Sequence, residues 1–191
     1  GELSRLIEAL SIHDQVPQIE VSMGDSVCAL IFRVLSPPTA DDLERLRVFG
    51  EEHGFVIYLQ PSGPDSVHSL QGSPPDLYYT LPAFDLRLCF SPLDFTQVNL
   101  ELNRLMAERA LAMLDPQPDE RVLDLFCGIG NFTLPFATRA GQVTGVEGDA
   151  GLVARARQNA EANRLDNVRF YTANLYAELD NEPWLLERFD K

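Results

Sequence analysis

Between residues 121 and 171 short apolar runs alternate strictly with helix-compatible stretches, and few folds accept that alternation. The runs are Arg121–Phe126, Gln142–Val146 and Val168–Tyr171, with helices expected near Phe132–Ala140 and Asp149–Asn163. A βαβαβ series of this kind implies a parallel sheet with right-handed crossovers. Its first link reads Val122-Leu123-Asp124-Leu125-Phe126-Cys127-Gly128-Ile129-Gly130-Asn131-Phe132. Here a strand ends in an acid, passes through a Gly-x-Gly turn and enters a helix. The glycines let the backbone approach a ligand closely. The carboxyl end of such strands is where open α/β sheets bind ligands.

The residues before this series read as small α+β. Ile19–Val21 and Val27–Val34 are strand-like and joined by the turn-type Met23-Gly24-Asp25-Ser26, which predicts a hairpin. Ser36-Pro37-Pro38 breaks the second strand. Thr39 and Asp42 form a capping-box pattern, Leu43, Leu46 and Phe49 line one helical face, and Gly54 stops the helix. Phe55–Leu59, Tyr78–Leu81 and Leu86–Phe90 complete the strands, with a Pro-, Gly- and Ser-rich loop from Gln60 to Asp76. Asp94 is expected to cap a helix running to about Leu114, whose apolar face holds Val98, Leu102, Leu105, Met106, Ala110 and Met113. The expected division is a central α+β domain over residues 1–93, then the front half of a Rossmann-like α/β domain over residues 94–191.

Charge narrows the function classes. The net charge is −14, with 5 basic against 14 acidic residues up to residue 95 and 10 against 15 beyond it. No basic stripe marks a nucleic-acid surface, so an RNA partner would be gripped mostly elsewhere. Nor is there an apolar run long enough to span a membrane. The start, Gly1-Glu2-Leu3-Ser4, lacks a Met and a signal region and reads as an artificial boundary. Cys28, Cys89 and Cys127 are too scattered for a metal site or disulfide framework, which predicts a reducing, cytoplasmic setting. No metal ligands are expected.

Further features stand beside the Gly-x-Gly turn. Glu147 ends the second parallel strand, 17 residues after Gly130, near the spacing at which an acid receives ribose hydroxyls. Asn174 follows the third strand and can read an adenine edge. Two cofactor classes compete for this layout. A dinucleotide site needs a third glycine for close packing around a pyrophosphate, and Thr133 stands there instead. That favours S-adenosylmethionine over NAD. A plain tight turn beside a surface acid is the bland alternative.

The chain also resembles a known family. The stretches Phe90-Ser91-Pro92-Leu93-Asp94-Phe95-Thr96-Gln97-Val98-Asn99 and Val122–Pro135 are similar to bacterial RNA 5-methyluridine methyltransferases, closest to the 23S ribosomal RNA uracil-C5 branch. Gly145-Val146-Glu147-Gly148, Gln158-Asn159-Ala160 and Phe189-Asp190-Lys191 continue the likeness. The resemblance implies a class I S-adenosylmethionine-dependent methyltransferase fold. It places cofactor contacts on Gln97, Phe126, Asn131, Glu147 and Asn174, to which the turn itself adds Gly128 and Gly130.

In that family a cysteine thiolate adds to carbon 6 of uracil so that carbon 5 can take the methyl group. The cysteine lies in a Ser-Cys-Asn-Pro-type segment that this chain lacks. Cys127 sits inside the turn with no neighbouring His or Lys to lower its pKa, and reads as a packing residue. No catalytic residue is therefore assigned. The family's iron–sulfur cluster and RNA-binding barrel are implied only for an amino-terminal part outside this chain, and its next strand would begin just past Lys191. The expectation is a middle piece of a cytoplasmic ribosomal RNA methyltransferase, inactive alone, with the transfer-RNA branch or a non-catalytic binding module as alternatives. With its neighbour missing, the first parallel strand would expose an apolar edge, which predicts self-association or fraying. Trp184, Tyr78 and Tyr79 read as packing residues. His13, His53 and His68 read as surface groups, and Arg155, Arg157 and Arg164 as a solvated helix face.

Overall fold

The computed structural model describes residues 1–179 and 182–191. They divide into two compact units, Gly1–Tyr78 with Ser91–Leu93, and Tyr79–Phe90 with Asp94–Lys191.

The first unit contains α1 (Glu2–Ala9), β1 (Gln18–Met23), β2 (Cys28–Arg33), α2 (Ala40–His53), β3 (Phe55–Gln60) and β4 (His68–Ser69). β1 and β2 form the expected antiparallel hairpin. β2 and β3 are parallel, with α2 as their crossover. β4 lies in the stretch expected to be loop, and adds antiparallel through Tyr58↔Ser69 and Leu59↔His68. Phe32, Leu46 and Ile57 are fully buried in one core, against which Leu43, Phe49 and the α1 residues Leu3, Leu6 and Ile7 pack. The capping box is present: Thr39 Oγ1 accepts from the Asp42 N–H at 3.2 Å, and the Asp42 carboxylate accepts from the Thr39 N–H at 2.9 Å. Gly54 ends α2 at a φ of 69°, which a side chain would strain.

β5 (Leu77–Leu81) starts in the last two residues of Gly1–Tyr78 and continues into the second unit, which then holds β6 (Leu86–Phe90), α3 (Leu100–Leu114), β7 (Arg121–Leu125), α4 (Thr133–Ala137), β8 (Gln142–Glu147), α5 (Ala150–Ala162) and β9 (Val168–Thr172). β7, β8 and β9 form a three-stranded sheet in that order. Both pairings are parallel, with Val122 opposite Val143 and Val143 opposite Val168. Helices supply each crossover, as the alternation of apolar runs requires. α4 is shorter than its expected span and covers five residues. Val122, Val143, Leu111 and Phe136 fill the core on one face of the sheet, while Val146, Ala173 and Trp184 cluster separately.

Two sequence expectations fail here. Asp94 does not cap α3. Asn99 does, its side chain accepting from the Leu102 N–H at 3.0 Å, and Asp94 pairs with Arg155 at 2.5 Å. The apolar face of α3 is also not the buried one. Leu102, Leu105 and Met113 are 52%, 61% and 74% exposed, whereas Asn103, Ala107 and Leu111 are buried. Only Ala110 of the expected set packs against the core. The face carrying an asparagine and an alanine is the one that admits close approach of neighbouring backbone.

The outer edge of β7 is not bare along its whole length. The Asp190 N–H donates to the Arg121 carbonyl at 2.8 Å, and the Leu123 N–H to the Lys191 carbonyl at 2.9 Å. Lys191 Nζ donates to the carbonyls of Leu114 and Asp115. These bonds cover the first half of the strand with the chain's own backbone.

Candidate cofactor-binding site

The strand β7 stops at Leu125 because the next residue turns over. Phe126 has φ 60°, a left-handed conformation unusual for a bulky side chain, and Gly128 and Gly130 follow at 54° and 95°. The Gly130 N–H closes the turn onto the Cys127 carbonyl at 2.9 Å, and the Cys127 N–H reaches the Val146 carbonyl at 3.1 Å. The φ of Gly130 favours glycine, and an added Cβ would also stand a tight 3.1 Å from the Leu134 side chain. At Gly128 a Cβ would meet nothing within 4 Å. That side of the turn is open to a ligand.

Three carboxylate or thiol groups meet around this turn. Glu147, at the end of β8, accepts the Gly128 N–H through Oε2 at 3.1 Å, and the Gly148 N–H through Oε1 at 2.7 Å. Asp124 accepts from Thr133 Oγ1 at 2.6 Å. Burial pushes the Asp124 carboxyl up to about 6, opposed by the Thr133 bonds and assisted by the Glu147 charge. Because Asp124 also takes the Thr133 backbone N–H, the start of α4 is partly spoken for. The Cys127 thiol is pushed up to about 12, first by burial and then by the Asp124 and Glu147 carboxylates. At neutral pH it is a thiol. Its sulfur stands 3.0 Å from where a Cβ on Gly145 would be.

The other sequence-derived residues distribute unevenly. The Phe126 ring is 54% exposed and lies 5.5 Å from the ring of Tyr176. Asn174 is exposed just after β9 and accepts the Tyr176 N–H at 3.1 Å, so both lie at the carboxyl end of the sheet. Asn131 is half-buried and engaged by Asn103 and Tyr79. Gln97 is half-exposed in the irregular segment before α3, and among the described residues no hydrogen bond ties it to the turn.

Sequence reasoning missed three groups that hold this site. Asn159 of α5, 1% exposed, accepts the Cys89 N–H at 2.8 Å and donates to the carbonyls of Cys89 and Ile129. It thereby straps the turn to β6. Asn103 of α3 is equally buried, and Tyr176 offers an aromatic face. The available signal was chemical: an asparagine inside a helix interior is unfavourable unless a specific bond repays its burial.

The sequence profile of the tRNA (Uracil-5-)-methyltransferase family matches residues 85–179. The matched stretch includes the glycine turn, Glu147 and Asn174. The 23S rRNA (uracil(1939)-C(5))-methyltransferase RlmD of Xanthomonas oryzae pv. oryzae is 51% identical over 189 residues, covering 99% of this chain and 43% of that protein. Its counterpart in Alkalilimnicola ehrlichii is 53% identical over 192 residues, again 43% of its length. The chain thus spans under half the length of the curated relatives it matches.

Among solved structures, the Pyrococcus abyssi tRNA (uracil-54, C5)-methyltransferase in complex with S-adenosyl-L-homocysteine aligns with a TM-score of 0.65 at 18% identity, covering 90% of this chain and 41% of that one. P. horikoshii TYW2 aligns at 0.53 and 20% identity, covering 92% of this chain and 65% of that one. These likenesses establish the fold, a Rossmann-like α/β sheet. Among the described residues, no helix is long and apolar enough to cross a membrane.

Proposed function

We propose that this chain is the cofactor-holding part of an enzyme that methylates carbon 5 of a uracil in 23S ribosomal RNA. The observation that carries the reading is the glycine turn between β7 and α4, open at Gly128 and tied to the Glu147 carboxylate at the end of β8. Identity of 51–53% with two 23S rRNA methyltransferases supports the ribosomal branch. The family profile, described for the tRNA enzymes, makes the transfer-RNA branch the second reading.

The residues present fit S-adenosylmethionine. Gly128 leaves room where a side chain would obstruct, Glu147 offers carboxylate oxygens to ribose hydroxyls, and no third glycine forms a pyrophosphate cradle. When bound, that cofactor supplies an electrophilic methyl group. In this reading Gly128 and Gly130 give the backbone its approach, Phe126 packs its ring on the ligand, and Glu147 takes the ribose. Asn174 stands by the base, while Gln97 and Asn131 offer amides.

The remaining parts of the proposal concern the whole protein. Cys127, held as a buried thiol, is a packing group of the turn. The nucleophile is assigned to a Ser-Cys-Asn-Pro-type segment outside this chain, and the iron–sulfur cluster and most RNA contacts to an amino-terminal part. The enzyme acts in the cytoplasm on ribosomal RNA. Self-association of this chain is confined to the second half of the β7 edge, since backbone bonds from residues 190 and 191 cover the first.

Calorimetric titration with S-adenosylmethionine and with NAD tests the cofactor class. Binding of the former alone is expected, and tight NAD binding would defeat the reading. The isolated chain should transfer no labelled methyl to a ribosomal RNA fragment. Transfer abolished by Cys127→Ala would overturn the role given to that cysteine. Light scattering of a strictly monomeric chain at high concentration would remove the self-association.

A further inference from the structure

Asn131 follows the second glycine of the turn and is half-exposed, but both of its partners are buried, Tyr79 at 3% and Asn103 at 1% exposure. Tyr79 Oη donates to Asn131 Oδ1 at 2.8 Å. Asn103 Nδ2 donates to the same oxygen at 2.9 Å, and Asn131 Nδ2 donates back to Asn103 Oδ1 at 2.9 Å. An amide oxygen has two lone pairs and an amide nitrogen two hydrogens. Both lone pairs of Asn131 are therefore engaged from behind, and so is one hydrogen. A single N–H is left for the half-exposed side.

Burying an amide and a hydroxyl this deeply is costly unless each is bonded, and a leucine and a phenylalanine would fill the same space. Burial also raises the Tyr79 hydroxyl far above its ordinary value, so it remains a donor at any working pH. On the other side of the turn, Glu147 presents carboxylate oxygens that match hydroxyl donors and repel anions.

We propose that Tyr79 and Asn103 are positioning residues that set the polarity of the Asn131 amide. The site thereby presents one N–H donor and takes a ligand bearing a hydrogen-bond acceptor there, the carboxylate of an amino-acid moiety. The proposal rests on the S-adenosylmethionine reading above and deepens it. Glu147 and Asn131 then divide the ligand between them by charge, with ribose hydroxyls at the acid and the carboxylate at the amide.

Two probes separate this from general loosening of the turn. S-adenosylhomocysteine carries the carboxylate, whereas 5′-methylthioadenosine keeps the adenosine and the thioether without it. In calorimetric titrations Tyr79→Phe and Asn103→Ala should raise the Kd of S-adenosylhomocysteine at least tenfold and that of methylthioadenosine less than twofold. Asn131→Asp, which keeps the shape and loses the N–H, should show the same selectivity more strongly. Equal weakening of both probes, or none, would overturn the proposal. So would unimpaired S-adenosylhomocysteine binding by Asn131→Asp. Should Asn103→Ala fail to fold by circular dichroism, Tyr79→Phe, which removes one oxygen only, decides the matter. If the unaltered chain binds neither probe, the cofactor reading itself falls, and this proposal with it. Binding by the unaltered chain with unselective variants sinks the proposal alone.

Discussion

Each unit of the molecule holds an aspartate bonded to a threonine at the start of a helix, and the two are driven in opposite directions. In the first unit Asp42 receives four donors: the Ser11 N–H at 2.7 Å, the Ser11 hydroxyl at 2.6 Å, the Thr39 N–H at 2.9 Å and the Thr39 hydroxyl at 2.7 Å. Burial alone would raise its carboxyl, but the Ser11 and Thr39 bonds outweigh burial and hold it well below the usual range. In the second unit Asp124 has Thr133 as its bonded partner and the Glu147 charge nearby, so burial wins and the carboxyl rises to about 6. The difference is one of donor count against burial, with the Glu147 charge a lesser addition. Asp42 is a joint whose acceptor capacity is used up by its own unit. Asp124 stands beside an open glycine turn with its charge less well satisfied.

The largest effect should come from breaking the satisfied member. Asp42→Ala leaves four donors without an acceptor, and urea unfolding should show a loss of about 3 kcal/mol. A variant as stable as the unaltered chain would show that the capping box does not anchor the first unit. Next in size is the packing behind the site. A Cβ on Gly145 would stand 2.7 Å from the Phe170 ring and 3.0 Å from the Cys127 sulfur, so Gly145→Ala should cost about 2 kcal/mol.

Asp124→Asn should act the other way. It keeps an oxygen for Thr133 and removes a poorly satisfied charge, for a gain of about 1 kcal/mol at pH 8. The pH dependence has a definite sign. Asp124 binds its proton more tightly folded than unfolded, so the unaltered chain gains stability from it as pH falls from about 6 towards its ordinary value of 3.8. Asp42, being depressed, contributes fully above its ordinary value and loses that contribution as pH falls below it. The stability gain of Asp124→Asn should therefore shrink to nothing by about pH 4. A gain constant from pH 8 to pH 4 would break the contrast between the two aspartates.

The smallest signal is chemical. With its thiol pushed to about 12, Cys127 should stay unlabelled by a disulfide reagent at pH 8 until the chain unfolds. Rapid labelling of Cys127 in the folded chain would remove it as a packing group.

The elements that were legible in the sequence are those set by short-range chemistry. Thr39 with Asp42 and Gly54 bracket α2, and the turn after Met23 joins a hairpin. The three apolar runs from residue 121 pair in parallel. Local pattern misled at α3. Its periodicity marks an apolar face correctly but cannot say which surface is turned to the sheet, and the structure buries Asn103, Ala107 and Leu111 instead. α1 and β4 escaped notice because one lies in a chain start without a strong signal and the other has two residues in a Pro- and Gly-rich stretch.

The sequence by itself determined the parallel βαβαβ order, the glycine turn, and the residue types available for a cofactor. Apolar periodicity and glycine conformational freedom act over a few residues and are written locally. Tertiary structure decided how those types are spent. It gave Glu147 to Gly128, Thr133 to Asp124, and Asn103 with Tyr79 to Asn131. Partners 28 and 52 residues apart can be chosen only after the helices and strands have packed, because a hydrogen bond and a shifted pKa depend on what shares the same few ångströms.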